Sequence, residues 1–433
     1  MKIFIVSCVF PPELVVSSQT SADIAEALSR KGHEVTVVAP FPSRPGGKII
    51  GSYRRKLYAR ERSQEGYELV RCFSLFSARS SMVSRFLENI SFGLTAACYV
   101  FISKRPHLIY SNNWPILATG ILSIVSRLRR IPMIASIQDV YPESLVSQKR
   151  IRSDGIPAKI FRWVDGKVAA ACREIIVISS CFKEIYRDNR RINSHKIHVV
   201  SNWVDGNSII PDDSAASEIR ESFGFGPGCF VIGYGGNIGV AAGVETIIEA
   251  MGILTDIPSV RLLIAGEGSR LEFCRKLADK LHLTPRIAFC SPWRRSRTSA
   301  VYAAADVLVL PTNGRQSQYS VPSKLIAYLL SGRSIIALAI PDTEVAQIVR
   351  ASESGWIIDP NDPSRLAAAI RQAMQASREE RQVCGQSGRQ YALQNLVKNI
   401  CVPRVVEILE RASVSPNRSI EKVADDRRRP ASA

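Results

Sequence analysis

"KIFIVSCVFPPELVVSSQTSADIAEALSRKGHEVTVVA", Lys2 to Ala39, decides the fold. Its ends, "KIFIV" and "HEVTVVA", are continuous apolar runs rich in β-branched residues, the pattern of parallel strands buried on both faces. Between them, Ser18 to Lys31 puts Ile24, Ala25 and Leu28 on one helical face, and Gly32 follows as a C-cap. The unit is strand, helix, strand.

The alternation continues through "HLIYS", "IPMIASI" and "EIIVIS". A second series follows "IHVVSNWVDGNSIIP", with strands "CFVIGYGG", "VRLLIAG", "RIAFC", "ADVLVLP", "SIIALA" and "GWIID". The polar segment Asp212 to Gly228 reads as the approach to it. The expected fold class is α/β: two doubly wound, Rossmann-like domains facing a central cleft, with ligands at the C-terminal ends of the strands. The expected boundaries are 1–205 and 206–388, then a helix over 389–412 packing back on the first domain. A polar, unpatterned tail over 413–433 is expected to be disordered.

Composition agrees with a globular protein of two domains. The 433 residues are 46% hydrophobic and 22% charged, too long a chain for one ordinary core. Fifty-seven Lys and Arg against 39 Asp and Glu give a net charge of +18, which predicts an anionic partner. The charge is clustered in "SYRRKLYARER" (Ser52 to Arg62), "RLRR" (Arg127 to Arg130) and "WRRSR" (Trp293 to Arg297). None of these clusters interleaves aromatic platforms or carries a recognition motif, which disfavours nucleic acid. The 10 Cys are scattered without a CxxC pair or neighbouring His, and read as reduced residues of a cytosolic protein. "KIFIVSCVF" meets "PPEL" without a cleavage site, so it reads as a strand, not a signal peptide. No run reaches the roughly 18 apolar residues of a spanning helix; Ile90 to Ile102 comes nearest.

Chemistry gathers in three places. "SIQDVYPESL" ends a buried strand with Gln138, Asp139, Tyr141 and Glu143, so Gln138 and Asp139 are expected to face the cleft. Glu143 serves equally well as an acceptor-side group or as an acid complementing the next helix behind Pro142. "GYGGNIGVAAG" (Gly233 to Gly243) is a glycine-rich loop opening a helix, where backbone N–H groups approach an anion. "VPSKLIAYLLSG" opens another helix at Pro322 and Ser323, buries Leu325, Ile326, Leu329 and Leu330, and ends at Gly332. Its Lys324 lies in the first turn, where the dipole disfavours a cation by about 0.3–1 kcal/mol. Either the lysine is simply solvated or an anion is held there. No P-loop, HExxH, GxSxG or EF-hand pattern occurs. GxGxxG is missing after the first strand, which argues against a nicotinamide cofactor.

"IFIVSCVFPPE", "KGHEVTVVAP", "QDVYPESL", "HVVSNWVD", "GGNIG", "LLIAGEG" and "PSKLIAYLLSGR" occur in the order found in bacterial family-four glycosyltransferases of the GT-B fold, which the chain resembles over roughly Met1 to Ala412. Within that family it resembles WcaI-type enzymes of colanic-acid and exopolysaccharide synthesis. The resemblance implies a retaining transfer from a nucleotide-diphosphate sugar, with no metal or other cofactor. Asn237 and Gly239 would lie near the donor phosphates, and Ser320, Ser323 and Lys324 would hold the diphosphate. Glu267, Gly268 and Trp293 would face the nucleoside. Asp139 and Gln138 would be catalytic, with Ser17, Ser18 and Glu143 on the acceptor side. Asn202 would close the hinge. The implied partners are the nucleotide-sugar donor, a polyprenyl-linked saccharide acceptor and the anionic inner face of the plasma membrane, where the enzyme would sit peripherally.

The chain departs from the family pattern at several positions. Tyr319 and Ala327 stand where many relatives carry two Glu, so ribose and sugar hydroxyls must be held otherwise. Asn237 and Ala242 replace an Arg and a Lys, Ser17-Ser18 replaces Gly-Gly, and Gln138 replaces a His. Other readings are a sugar-nucleotide epimerase on the same fold and an inactive, membrane-associated assembly subunit.

Overall fold

In the computed structural model of the chain, β1 (Lys2–Ser7) runs through the middle of an eight-stranded sheet and is buried from Ile3 onward. The structure describes every residue except 14–15, 44–46, 48, 51–52, 55, 77–81, 113–115, 148, 294, 313–321, 361 and 415–433. The helix α1 (Val16–Arg30) covers the strand with Ile24, Ala25 and Leu28, all fully buried. Gly32 then turns the chain at φ +81°, a conformation that costs a side-chain-bearing residue energy. It delivers β2 (Glu34–Pro40) parallel to β1, with Ile3 opposite Val35.

Beyond β2 lies a hairpin that the sequence reading did not anticipate. The edge strand β3 (Tyr58–Arg62) runs antiparallel to β4 (Glu68–Cys72), which is parallel to β2. Its sequence, "YARER", belongs to the first basic cluster. Charged residues on an edge strand block pairing with other chains, and they also hide the hydrophobic signal of a strand.

On the other side of β1 come β5 (Leu108–Asn112), β6 (Met133–Ile137), β7 (Glu174–Val177) and β8 (Ile197–Val199), all parallel. The helices α2 (Met82–Ile102), α3 (Leu117–Leu128), α4 (Glu143–Ser147), α5 (Ile156–Ala171) and α6 (Ser180–Glu184) belong to this domain. The strand order β3-β4-β2-β1-β5-β6-β7-β8 reverses direction between β1 and β5.

The second domain opens with α7 (Asp213–Ser222), within the segment read as an approach. Asp212 caps it, and Ala216 and Ile219 are buried against the domain. Its sheet has the order β11-β10-β9-β12-β13-β14. The first half comprises β9 (Phe230–Gly235), α8 (Val244–Ile253), β10 (Val260–Ala265), α9 (Leu271–Lys280) and β11 (Ile287–Cys290). The second half comprises α10 (Thr298–Ala303), β12 (Val307–Leu310), α11 (Ser323–Leu330), β13 (Ser334–Leu338), α12 (Glu344–Ala351), β14 (Gly355–Ile358) and α13 (Pro363–Gln375). Every pairing in this sheet is parallel, and the order reverses between β9 and β12.

α14 (Arg378–Asn395) stays on the second domain against α11 and β13, while α15 (Lys398–Val414) returns to pack on α1 and β5. The crossing therefore lies at Leu396–Lys398, later than residue 389, and α15 runs on through Val414. The tail beyond Val414 lies outside the described residues. At the crossing the Lys398 N–H donates to Val204 O at 2.9 Å, joining the two strands of the hinge. Lys398 Nζ reaches Asp23 at 2.8 Å and Glu26 at 3.0 Å, and Trp203 Nε1 donates to Asp23 at 2.8 Å. The C-terminal edges of the two sheets meet directly: the Ser180 N–H, after β7, donates to Glu344 Oε2, after β13, at 3.1 Å.

Candidate functional site

Each sheet reverses its strand order at one point, and each reversal opens a crevice at the strand ends. In the N-terminal domain this is the gap between β1 and β5. Ser7 ends β1, Asn112 ends β5, and Ser17 and Ser18 open α1. Asn112 Nδ2 donates to Ser21 Oγ at 2.7 Å and to the Ser17 carbonyl at 3.3 Å. Ser21 Oγ lies 3.0 Å from Ser7 Oγ. The Ser18 hydroxyl and Asn112 Oδ1 are buried without a protein partner, an uncommon condition for interior polar atoms.

Gln138 and Asp139 follow β6. Gln138 Nε2 donates to Ser136 Oγ at 3.0 Å. Burial pushes the Asp139 carboxyl up to about 6, against the lowering pull of the Tyr141 and Ser144 hydroxyls and the Val140 N–H. Tyr141 is itself raised by burial first and then by the Asp139 charge, with a smaller contribution from Cys8 at the end of β1. Asp139 therefore stands just past the end of β6, the strand next to β5, on one side of the crevice.

Glu143 has a different environment. Arg190 grips both of its carboxylate oxygens, at 2.9 and 2.6 Å, and donates through Nε to Asp165 at 2.8 Å. Tyr186 completes the cluster with a 2.7 Å bond to Asp165. The Arg190 and Asp165 side chains are each 1% exposed. Burial raises the Asp165 carboxyl to about 6 even beside Arg190. Glu143 thus ties the loop after β6 to the segment after α6, and both of its oxygens are committed to the arginine.

In the second domain, the glycine loop after β9 packs against the loop after β10. The Gly236 N–H donates to Ala265 O at 2.9 Å, Ile238 N–H to Glu267 O at 2.8 Å, and Arg270 N–H to Ile238 O at 3.0 Å. The approach is close enough to require glycine. A Cβ on Gly266, at φ +151°, would sit 1.9 Å from Gly236 O, and one on Gly268 would sit 2.3 Å from Ile238 O. Asn237 and the Glu267 side chain are exposed, and Gly239 begins a short 3-10 turn.

α11 enters this crevice from the other side of the β9/β12 gap. Pro322 is its N-cap residue, and no side chain caps its first N–H groups. Lys324 crosses over Gly236, donating to the Tyr234 hydroxyl at 2.5 Å and to Asn237 O at 3.3 Å. Tyr234 in turn donates to Asn237 O at 2.7 Å. Burial lowers the Lys324 ammonium to about 8, and no carboxylate offsets it. Beneath the loop, the Gly235 N–H donates to the Tyr328 hydroxyl at 2.9 Å, and Tyr302 packs edge-on to Tyr328. Trp293 lies 6.1 Å from Tyr302, with its Nε1 buried and unpartnered. Ser323 and Ala327 are half-buried on α11, whereas Ser320 and Tyr319 lie outside the described residues. Among the described residues no three His, Cys, Asp or Glu side chains form a group able to hold a metal.

The structure therefore brings Asn237, Gly239, Glu267, Gly268, Ser323 and Lys324 to one crevice, and Ser17, Ser18, Gln138 and Asp139 to the edge of the other. Sequence reasoning missed Tyr234, Tyr302 and Tyr328. Tyr328 carried a signal in its i+4 spacing from Lys324. The other two look like ordinary core residues.

The comparisons with known proteins fit this geometry. The family model described as "Glycosyltransferase Family 4" matches residues 18–207, and that described as "Glycosyl transferases group 1" matches residues 216–391. The chain is 22% identical to the probable glycosyltransferase WbjE of Pseudomonas aeruginosa over 272 residues, 62% of this chain and 66% of that protein. It is 22% identical over 381 residues to the putative colanic acid biosynthesis glycosyl transferase WcaI of Escherichia coli K12, 86% of this chain and 92% of that one. Among solved structures, Anabaena Alr3699/HepE in complex with UDP superimposes with a TM-score of 0.70 at 15% identity, over 95% of this chain and 100% of that one.

Proposed function

The chain belongs to the GT-B glycosyltransferases, and from that premise we propose that it moves a sugar, with retention, from a nucleotide diphosphate to a polyprenyl-diphosphate-linked saccharide. The product enters an exopolysaccharide, capsule or O-antigen at the inner face of the plasma membrane. The WcaI relative, named for colanic acid biosynthesis, supports the pathway class.

One observation carries the donor reading. Lys324 is a half-buried cation at a helix N-terminus, against the dipole, with no carboxylate beside it. A diphosphate between the first turn of α11 and the Gly236–Gly239 loop supplies the missing charge. In the transfer the bond from the sugar's anomeric carbon to the diphosphate breaks. The acceptor oxygen then bonds to that carbon on the same face, and its proton passes to a leaving phosphate oxygen. Lys324 and the α11 N–H groups stabilise the negative charge that develops on the diphosphate, so no metal is required. Asp139, ionised above about pH 6, orients the acceptor hydroxyl and offsets positive charge on the sugar ring.

HepE is also described in complex with UDP-glucose, which makes this the first donor to try. Calorimetry with UDP, followed by transfer of labelled glucose to a polyprenyl-diphosphate saccharide, tests the proposal, and the anomeric configuration of the product is read by NMR. The expected product keeps the donor's configuration. An inverted product overturns retention, and a protein that binds no nucleoside diphosphate overturns the donor site.

A further inference from the structure

α2, α3 and α5 lie side by side on one face of the N-terminal sheet, with α3 in the middle. Their inner sides are packed: Phe92, Ala96 and Val100 of α2 are buried, and a Cβ on Gly93 would come within 2.9 Å of Ala118 on α3. Their outer sides are also apolar, which packing does not explain. α5 exposes Ile156 (73%), Ile160 and Trp163 (64%), at spacing i, i+4, i+7. α3 exposes Ile124 and Leu128 (70%), one turn apart. α2 exposes Leu87, Leu94 and Phe101, each two turns from the next. Large apolar side chains exposed on three adjacent helices of one face are a feature of the kind that marks an interaction surface.

Charge selects the partner. The three helices carry two acidic residues between them, Glu88 and Asp165, and both are buried. The outer sides of these helices therefore present no carboxylate, and Asp154, exposed just before α5, is paired with Arg152 at 3.0 Å. The cations at its rim are exposed: Lys159 and Lys167 on α5, Arg127 on α3, and Arg130 and Lys104 just beyond the ends of α3 and α2. Lys167 Nζ stands 6.0 Å from the centre of the Trp163 ring, an aromatic–lysine pairing suited to a lipid headgroup layer. No helix of the described residues is long and apolar enough to cross a membrane.

We infer that the outer face of α2, α3 and α5 docks on an anionic lipid bilayer, its apolar stripes entering the headgroup boundary and its cations meeting lipid phosphates. The inference rests on the lipid-linked acceptor proposed above, and it adds the surface. Helices of a doubly wound sheet run opposite to its strands, so Ile156 and Leu87 lie toward the cleft end of the patch. A polyprenyl-linked acceptor rising from the bilayer there arrives at the edge that holds Asp139. The apolar stripes also make the contact more than electrostatic.

Flotation of the full chain with vesicles tests this without any sugar nucleotide, so a negative result leaves the donor reading standing. Wild type is expected to float with vesicles containing phosphatidylglycerol and much less with phosphatidylcholine alone. Ile160→Ser/Trp163→Ser should lower that partition by about tenfold or more. Val383→Ser, which removes an exposed apolar residue from α14, should leave it unchanged. Both sites are exposed, so circular dichroism should show the variants folded. Unchanged flotation of the double variant overturns the proposal. Equal flotation on the two vesicle types overturns the choice of anionic lipid. A concentration-dependent dimer that the double variant abolishes, without vesicle binding by wild type, would make the face a self-interface instead.

Discussion

Lys324 and Tyr234 are 90 positions apart in sequence, yet the lysine ammonium donates to the tyrosine hydroxyl at 2.5 Å and stands 4.7 Å from the centre of its ring. The ring and hydroxyl hold the cation over the glycine loop without neutralising it. The charge is thereby left available to a diphosphate.

Lys324→Ala should weaken nucleoside diphosphate binding by about 1.5–3 kcal/mol, the range for a charge-assisted hydrogen bond. The variant loses a buried cation that lacks a counter-charge, so its melting temperature at pH 7 should not fall. Calorimetry and a thermal melt measure the two quantities. Unchanged affinity would remove Lys324 from the site.

Donor affinity should decline as pH rises through about 8 in the wild type. Burial lowers Lys324 to about 8 from 10.5, so the free protein loses this charge above that pH. The same shift penalises the charged folded state below pH 8, and the penalty disappears between 8 and 10.5. Diphosphate binding titrated from pH 7 to 9.5 should show the decline in wild type and not in Lys324→Ala.

Asp139→Asn should cut turnover while leaving donor affinity, set in the other domain, nearly unchanged. In the wild type the rate should fall as pH drops through about 6, where the carboxyl takes up its proton. Because its folded pKa is raised, ionised Asp139 is a cost to stability above pH 6, so the variant should melt no earlier than wild type at pH 7. A variant with full turnover would leave Asp139 as a capping residue only.

Arg190→Ala should destabilise the N-terminal domain by about 3–5 kcal/mol, because Glu143 and Asp165 would remain as buried carboxylates without their shared cation. Urea denaturation measures the loss. A change below about 1 kcal/mol would mean the cluster is more hydrated than its burial indicates.

Gly266→Ala and Gly236→Ala should fail differently. The added Cβ at 266 meets the Gly236 carbonyl, which cannot move without breaking the paired loops, so about 1–3 kcal/mol of stability should be lost. At 236 it meets Lys324 Cε at 2.3 Å, the far end of a flexible side chain. Gly236 is itself at φ +148°, so that variant should also lose some stability, but by displacing Lys324 it should lose donor affinity as well, as a melt and a UDP titration would show.

The sequence by itself determined the layered architecture and where its crevices lie. Continuous apolar strands separated by amphipathic helices admit few arrangements other than parallel sheets, and parallel sheets put their loops at the strand ends. Asp139, Asn237 and Lys324 were legible for that reason: each is a polar residue directly after a buried strand or at a helix start. β3 and α7 were not, because an edge strand full of charge and a short polar helix lack the hydrophobic period that identifies an element. Only the tertiary structure decided what each polar residue meets. Asp139, in the loop after β6, and Glu143, four positions on at the start of α4, are near neighbours in sequence, yet Glu143 is locked to Arg190 and Asp139 is left without a cation. The hinge contact between Val204 and Lys398 and the meeting of Ser180 with Glu344 were beyond reach of the sequence for the same reason. Periodicity reports which face of an element is buried. Partners distant in the chain are chosen by packing, which brings whole elements together at angles and heights that no local pattern encodes.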